Sequence, residues 1–144
     1  MIVIDEYLAV RVLLGHWPDQ LPTDELGLPM TRHWRLLQAV HAPRGGQLSQ
    51  ALGLLPEPDR DAVRHPHPEV LQVLDPRPLL DDAAAIAARY GGTGLLIAET
   101  LAAGLAYGGL YFGTRQNVGR VVARAAADLE IDVGCPGVVP GDSP

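Results

Sequence analysis

The run Leu95-Leu96-Ile97-Ala98-Glu99-Thr100-Leu101-Ala102-Ala103-Gly104-Leu105-Ala106-Tyr107 constrains the fold of this chain more than any other segment. Glu99 is the only charged side chain between Arg89 and Arg115. A helix that is apolar nearly all round is a buried one. A carboxylate inside it needs a partner, a metal or a raised pKa. Three readings stay open for Glu99: a pairing with an arginine across the core or an oligomer interface, a metal site shared with Asp5, or a polar pocket. The run is too short to span a bilayer, which takes about 20 apolar residues, so no membrane span is expected.

The remaining elements follow from local pattern. Met1 to Ile4 reads as a short, fully buried strand of the kind parallel sheets use. Asp5 closes it, at the strand end where open α/β sheets place their crevices. Glu6 to Leu14 reads as a helix with Leu8 and Val12 on its apolar face. Residues 18–30 hold Pro, Asp and Gly and predict a loop. Thr31 is placed as the cap of a helix to His41, with Trp34, Leu37 and Val40 inward and Leu36 broadening the face. Arg44-Gly45-Gly46 predicts a turn, and Gln47 to Leu55 a short helix.

Six prolines between Pro56 and Pro78 forbid a long element, leaving short helices at Asp59–Arg64 and Pro68–Leu74. Leu79 to Tyr90 reads as a helix, and Gly91 to Gly94 as a break. Leu110 to Thr114 and Ile131 to Val133 read as strands around an amphipathic helix from Asn117 to Leu129. The order predicts a three-layer α/β fold with a small parallel sheet and a helical middle that could hide further strands. Residues 1–133 form one domain in this reading, and residues 134–144 a flexible tail.

Composition narrows the function classes. Hydrophobic residues at 47 % against 19 % charged make the chain globular rather than disordered. A net charge of −6 argues against an extended basic groove for nucleic acid. All 11 basic residues are arginine. The lone Cys135 has no disulfide partner and no metal-type spacing, and no signal-peptide pattern is evident, so a cytoplasmic location is expected.

Individual side chains carry competing readings. Asp5 suits an N-cap and equally a ligand for a hard cation. Asp81 and Asp82 complement the dipole of the helix they open. His65 and His67 flank Pro66 without a third ligand at fixed spacing. Gly91-Gly92-Thr93-Gly94 lacks the Lys-Ser/Thr ending of a phosphate loop and follows no strand.

The two ends of the chain together resemble the PIN-domain family, metal-dependent ribonucleases found as toxins of bacterial toxin–antitoxin operons. One carrier is Met1-Ile2-Val3-Ile4-Asp5 followed directly by Glu6-Tyr7-Leu8-Ala9. The other is Gly94-Leu95-Leu96-Ile97-Ala98-Glu99-Thr100-Leu101, then Leu110-Tyr111-Phe112-Gly113-Thr114-Arg115-Gln116-Asn117. The resemblance implies a bacterial, cytoplasmic, PIN-like protein. Its Mg²⁺ or Mn²⁺ would be held by Asp5 and a second acid and would activate water against an RNA phosphodiester.

The same resemblance implies Asn117 as a further metal ligand and Arg115 or Arg120 as phosphate contacts. It also implies an antitoxin-like partner or a homodimer. The family's helix Asp falls at Gly94 here. Glu99 lies five residues on, about 140° round the helix. The family's acid on an early helix has no counterpart in Met30 to Val40. The site is therefore either rebuilt from Glu6, Asp82 or Glu99, or lost, leaving an inactive scaffold that binds protein. Three or more carboxylates converging near Asp5 would favour the nuclease, and one the scaffold.

Overall fold

The computed structural model describes residues 1–42 and 45–136. Its elements are β1 (Ile2–Ile4), α1 (Glu6–Leu13), β2 (Leu26–Pro29), α2 (Met30–His41), α3 (Gln47–Gly53), α4 (Glu57–Arg64), β3 (Gln72–Leu74), α5 (Leu80–Arg89), α6 (Leu95–Tyr107), β4 (Leu110–Tyr111), α7 (Gly119–Asp128) and β5 (Val133–Gly134). Short 3₁₀ turns span Arg77–Leu79 and Arg115–Asn117. The five strands form one sheet in the order β3-β2-β1-β4-β5, and every neighbouring pair is parallel. The expected α/β architecture is the observed one, and β1, β4 and β5 are the parallel neighbours that their helical connections require.

Alternation along β1 sorts the layers. Ile2 and Ile4 face one core with Leu8, Leu26, Leu28, Leu36 and Leu52. Val3 faces the other, with Leu101, Leu110, Phe112 and Val122. Helices α1 to α4 cover the first face and α5 to α7 the second, so the sheet is buried on both sides. No helix among the described residues is long and apolar enough to cross a membrane.

The middle of the chain departs from expectation in two places. Residues 26–29, expected as loop, form β2 beside β1. Gly27 and Pro29 look like breakers, but a Cβ at Gly27 would lie 3.0 Å from both Leu74 methyls and the Met1 sulfur. The glycine thus permits close packing within a strand. Residues 72–74, expected inside a short helix, form edge strand β3.

Smaller corrections follow from caps. α2 starts at Met30 with Pro29 at the cap position, so Thr31 is not its cap. Its buried face is Arg32, Leu36, Ala39 and Val40, whereas Trp34 is 57 % exposed. β4 ends at Tyr111, because Thr114 caps the following 3₁₀ turn through its side chain. α7 therefore begins at Gly119 rather than Asn117. The last strand is Val133–Gly134, so Gly134 belongs to the sheet and not to the tail. The turn at Arg44 and residues 137–144 lie outside the described residues.

α6 matches its expected span and packs tightly at its C-terminal half. A Cβ on Gly104 would lie 2.5 Å from Leu110 Cγ and 3.1 Å from Ile131 Cγ2. Gly104→Ala gains about 1 kcal/mol of helix propensity but overpacks this junction by about 1–3 kcal/mol. The 2.5 Å contact places the overpacking in the upper part of that range, so we expect urea denaturation to show a net loss of about 1–2 kcal/mol. Gly91→Ala, where nothing lies within 4 Å, should change stability little. A Gly104→Ala protein as stable as the parent would contradict this packing.

Candidate functional site

The strand order reverses at β1: β2 and β3 lie to one side, β4 and β5 to the other. Open α/β sheets place their crevice at that switch point, outside the strands' carboxyl ends. Asp5 sits there. Its Oδ1 accepts from the Leu8 N–H at 2.9 Å and from the Gly113 N–H at 3.0 Å. The first bond makes Asp5 the N-cap of α1. The second ties the end of β1 to the segment after β4. Among the described residues, Asp5 Oδ2 is buried without a hydrogen-bond partner.

Burial is the main reason that the Asp5 pKa rises to about 6, and the Glu6 charge adds to it. The Leu8 and Gly113 N–H groups and the Arg32 charge pull the other way.

The neighbouring carboxylate, Glu6, is one of the acids from which the site could have been rebuilt, and its arginine partners were not foreseen from the sequence. Glu6 opens α1 and is fully buried. Its Oε2 accepts from Arg32 at 2.6 Å, and its Oε1 pairs with Arg35 at 2.7 Å. The Arg32 side chain is 5 % exposed. Its Nε donates to the Thr100 hydroxyl at 2.7 Å, and that hydroxyl donates on to the Leu96 carbonyl at 2.8 Å. The guanidinium also lies 5.5 Å from the Phe112 ring centroid, within cation–π range. The signal for Arg32 and Arg35 was their spacing of three residues on one helix. The apolar periodicity assigned to α2 hid it.

Glu99 is not paired with an arginine across the core among the described residues. Its Oε1 accepts from the Thr31 backbone N–H at 3.2 Å. The first four N–H groups of a helix lack intrahelical acceptors, and Pro29 offers no side-chain cap. Glu99 therefore serves the start of α2. Consecutive residues of α6, Glu99 and Thr100, hold consecutive residues of α2, Thr31 and Arg32.

The other candidates lie on other elements. Asp82 is exposed in the first turn of α5. Asn117 is half-buried in the 3₁₀ turn, its backbone N–H donating to the Thr114 hydroxyl at 3.3 Å and its Nδ2 buried without a partner. Arg115 and Arg120 are exposed and rim a shallow, mainly apolar cavity with Val118, Val133 and Cys135.

This donor set does not fit a divalent cation. Glu6 is committed to two guanidiniums and Glu99 to a helix start, and a fixed positive charge lies within the group. Among the described residues no three His, Cys, Asp or Glu side chains converge in a metal-holding arrangement. Hard divalent cations take several oxygen ligands, predominantly anionic ones. No model of a known protein family, no curated protein and no solved structure matches the chain.

Asp5 yields a pH prediction. Between pH 3.8 and about 6 the folded chain holds a proton that the unfolded chain has released. Stability from this group therefore falls as pH rises through that window. A shift of about two units corresponds to about 3 kcal/mol. Asp5→Asn keeps the acceptor for Leu8 and Gly113 but cannot ionise. It should be more stable than the parent by up to about 3 kcal/mol at pH 8, and the gap should close towards pH 4. Denaturation midpoints across that range check this, and a pH-independent difference contradicts it.

Proposed function

We propose that this chain is a PIN-like domain of the toxin–antitoxin type in which the acidic metal site has been given over to an internal ion pair. Its function is to bind another protein, a second copy of itself or an antitoxin-like partner. The observation that carries the reading is Glu6 clamped between Arg32 and Arg35 beside Asp5. A nuclease of this design needs carboxylates converging on Mg²⁺ or Mn²⁺ at that edge. Here the edge already carries its cation in the form of Arg32, and Asp5 is left with one free, buried oxygen.

Exposed apolar surface supports the protein-binding half of the reading. Met30 and Trp34 are four residues apart on one face of α2, at 46 % and 57 % exposure. Leu95, one turn before Glu99 on α6, is 60 % exposed. The Thr31–Glu99 bond draws these two helices together. Clustered, exposed, large apolar side chains mark association surfaces, and Trp and Met are enriched in them.

Calorimetric titration with Mn²⁺ or Mg²⁺ to millimolar levels should give no binding, and the protein should leave structured and single-stranded RNA intact. Light scattering should give a dimer or a stable heterocomplex that Trp34→Ser weakens. Metal-dependent RNA cleavage that is lost in Asp5→Asn would overturn the reading in favour of the ribonuclease. A monodisperse monomer at micromolar concentration, with no partner retained from its native host, would remove the association claim.

A further inference from the structure

A second cavity, separate from the Asp5 edge, lies between the end of α5 and one face of α7. It encloses about 270 Å³ and is lined by Arg89, Tyr90, Gly91, Val121, Arg124 and Asp128. That volume holds several waters, at about 30 Å³ each, and falls below the usual range for drug-sized ligands. It suits a small ion or the end group of a larger molecule.

The charges in this cavity are arranged unusually for an acidic chain. Arg32, Arg35, Arg60, Arg64 and Arg77 all pair with carboxylates. Arg89 and Arg124 form no ion pair among the described residues, although Asp128 lies four residues after Arg124 on the same helix face. Asp128 Oδ2 instead accepts the Tyr90 hydroxyl at 3.1 Å. The Arg89 guanidinium lies 5.1 Å from the Tyr90 ring centroid, which helps to fix its position. Arg89 and Arg124 are both exposed and line the same cavity as Tyr90.

Arg89 has one structural role already, since a cation in the last turn complements the helix dipole. Arg124 sits mid-helix in α7 and has no such role. Two guanidiniums against one engaged carboxylate leave a net positive cavity. Guanidinium forks match the oxygens of tetrahedral oxyanions bidentately.

We infer that the Arg89–Arg124 cavity is a binding site for a phosphate-class oxyanion, held between two guanidiniums with Tyr90 and Asp128 as its fixed wall. The inference does not rest on the protein-binding reading. Free phosphate and the terminal phosphate of an RNA share this chemistry.

The test follows the thermal midpoint of the full chain against inorganic phosphate, with sodium chloride at matched ionic strength as reference. Millimolar phosphate should raise the midpoint beyond the chloride control. Arg124→Gln should weaken phosphate binding about tenfold, the value of a charge-assisted hydrogen bond. Asp128→Asn keeps an acceptor for Tyr90, removes the opposing charge and should tighten phosphate binding. Arg11→Gln, away from the cavity, should behave as the parent. A phosphate response that is absent, or equal in parent, Arg124→Gln and Asp128→Asn, overturns the inference. Given a response, one oligoribonucleotide with and without a 5′-phosphate separates the sources. Preference for the phosphorylated form assigns the site to RNA ends, and no preference assigns it to free phosphate.

Discussion

Arg32 holds four parts of the molecule at once. It meets Glu6 at the start of α1, Thr100 midway along α6 and Phe112 just beyond β4, while itself belonging to α2. These elements come from both layers of helices and from the sheet between them. A buried ion pair is not a strong source of net stability, because desolvation offsets much of the attraction. Breaking one is expensive, since a lone charge then stays buried. The pair therefore acts as a constraint: α2 can dock in the register that brings Arg32 to Glu6, and other registers leave two charges unsatisfied. The Thr31–Glu99 bond repeats the same docking one residue away.

Asp5 lives beside this constraint and inherits its cost. Its Oδ1 is fully used as a cap and as a bridge to Gly113, while Oδ2 has no partner. The Gly113 position is itself tight, since a Cβ there would lie 2.6 Å from Tyr7 Cβ. A carboxylate that serves only as a cap could be replaced by a neutral residue with the same acceptor. Burial of that charge is unfavourable for stability at neutral pH.

Much of this was readable in the sequence, and the failures have identifiable causes. α6 and β1 were legible because they are apolar nearly throughout, and Asp5 because it ends such a run. β2 and β3 were not, because each has only three or four residues and is flanked or interrupted by Gly and Pro. Gly27 is in β2 for what it leaves room for, the Leu74 side chain, and that is a property of two distant segments. The buried face of α2 was misread because its key residue is an arginine. Apolar periodicity weighs apolar side chains, so Arg32 drew no reading and the exposed Trp34 was placed inward. Glu99 was correctly marked as needing a partner, but that partner is a backbone N–H, which no side-chain pattern reveals.

The Glu6–Arg32 pair is what closes the sheet edge. A double-mutant cycle with Glu6→Gln, Arg32→Met and the double variant, measured by urea denaturation in metal-free buffer, isolates their coupling. Each single change should cost about 3–5 kcal/mol by leaving the other charge buried. The double change should cost about as much as one single change, giving a coupling of about 3–5 kcal/mol. A coupling near zero would show that the two side chains do not close the sheet edge together, and the edge would again be open to a metal.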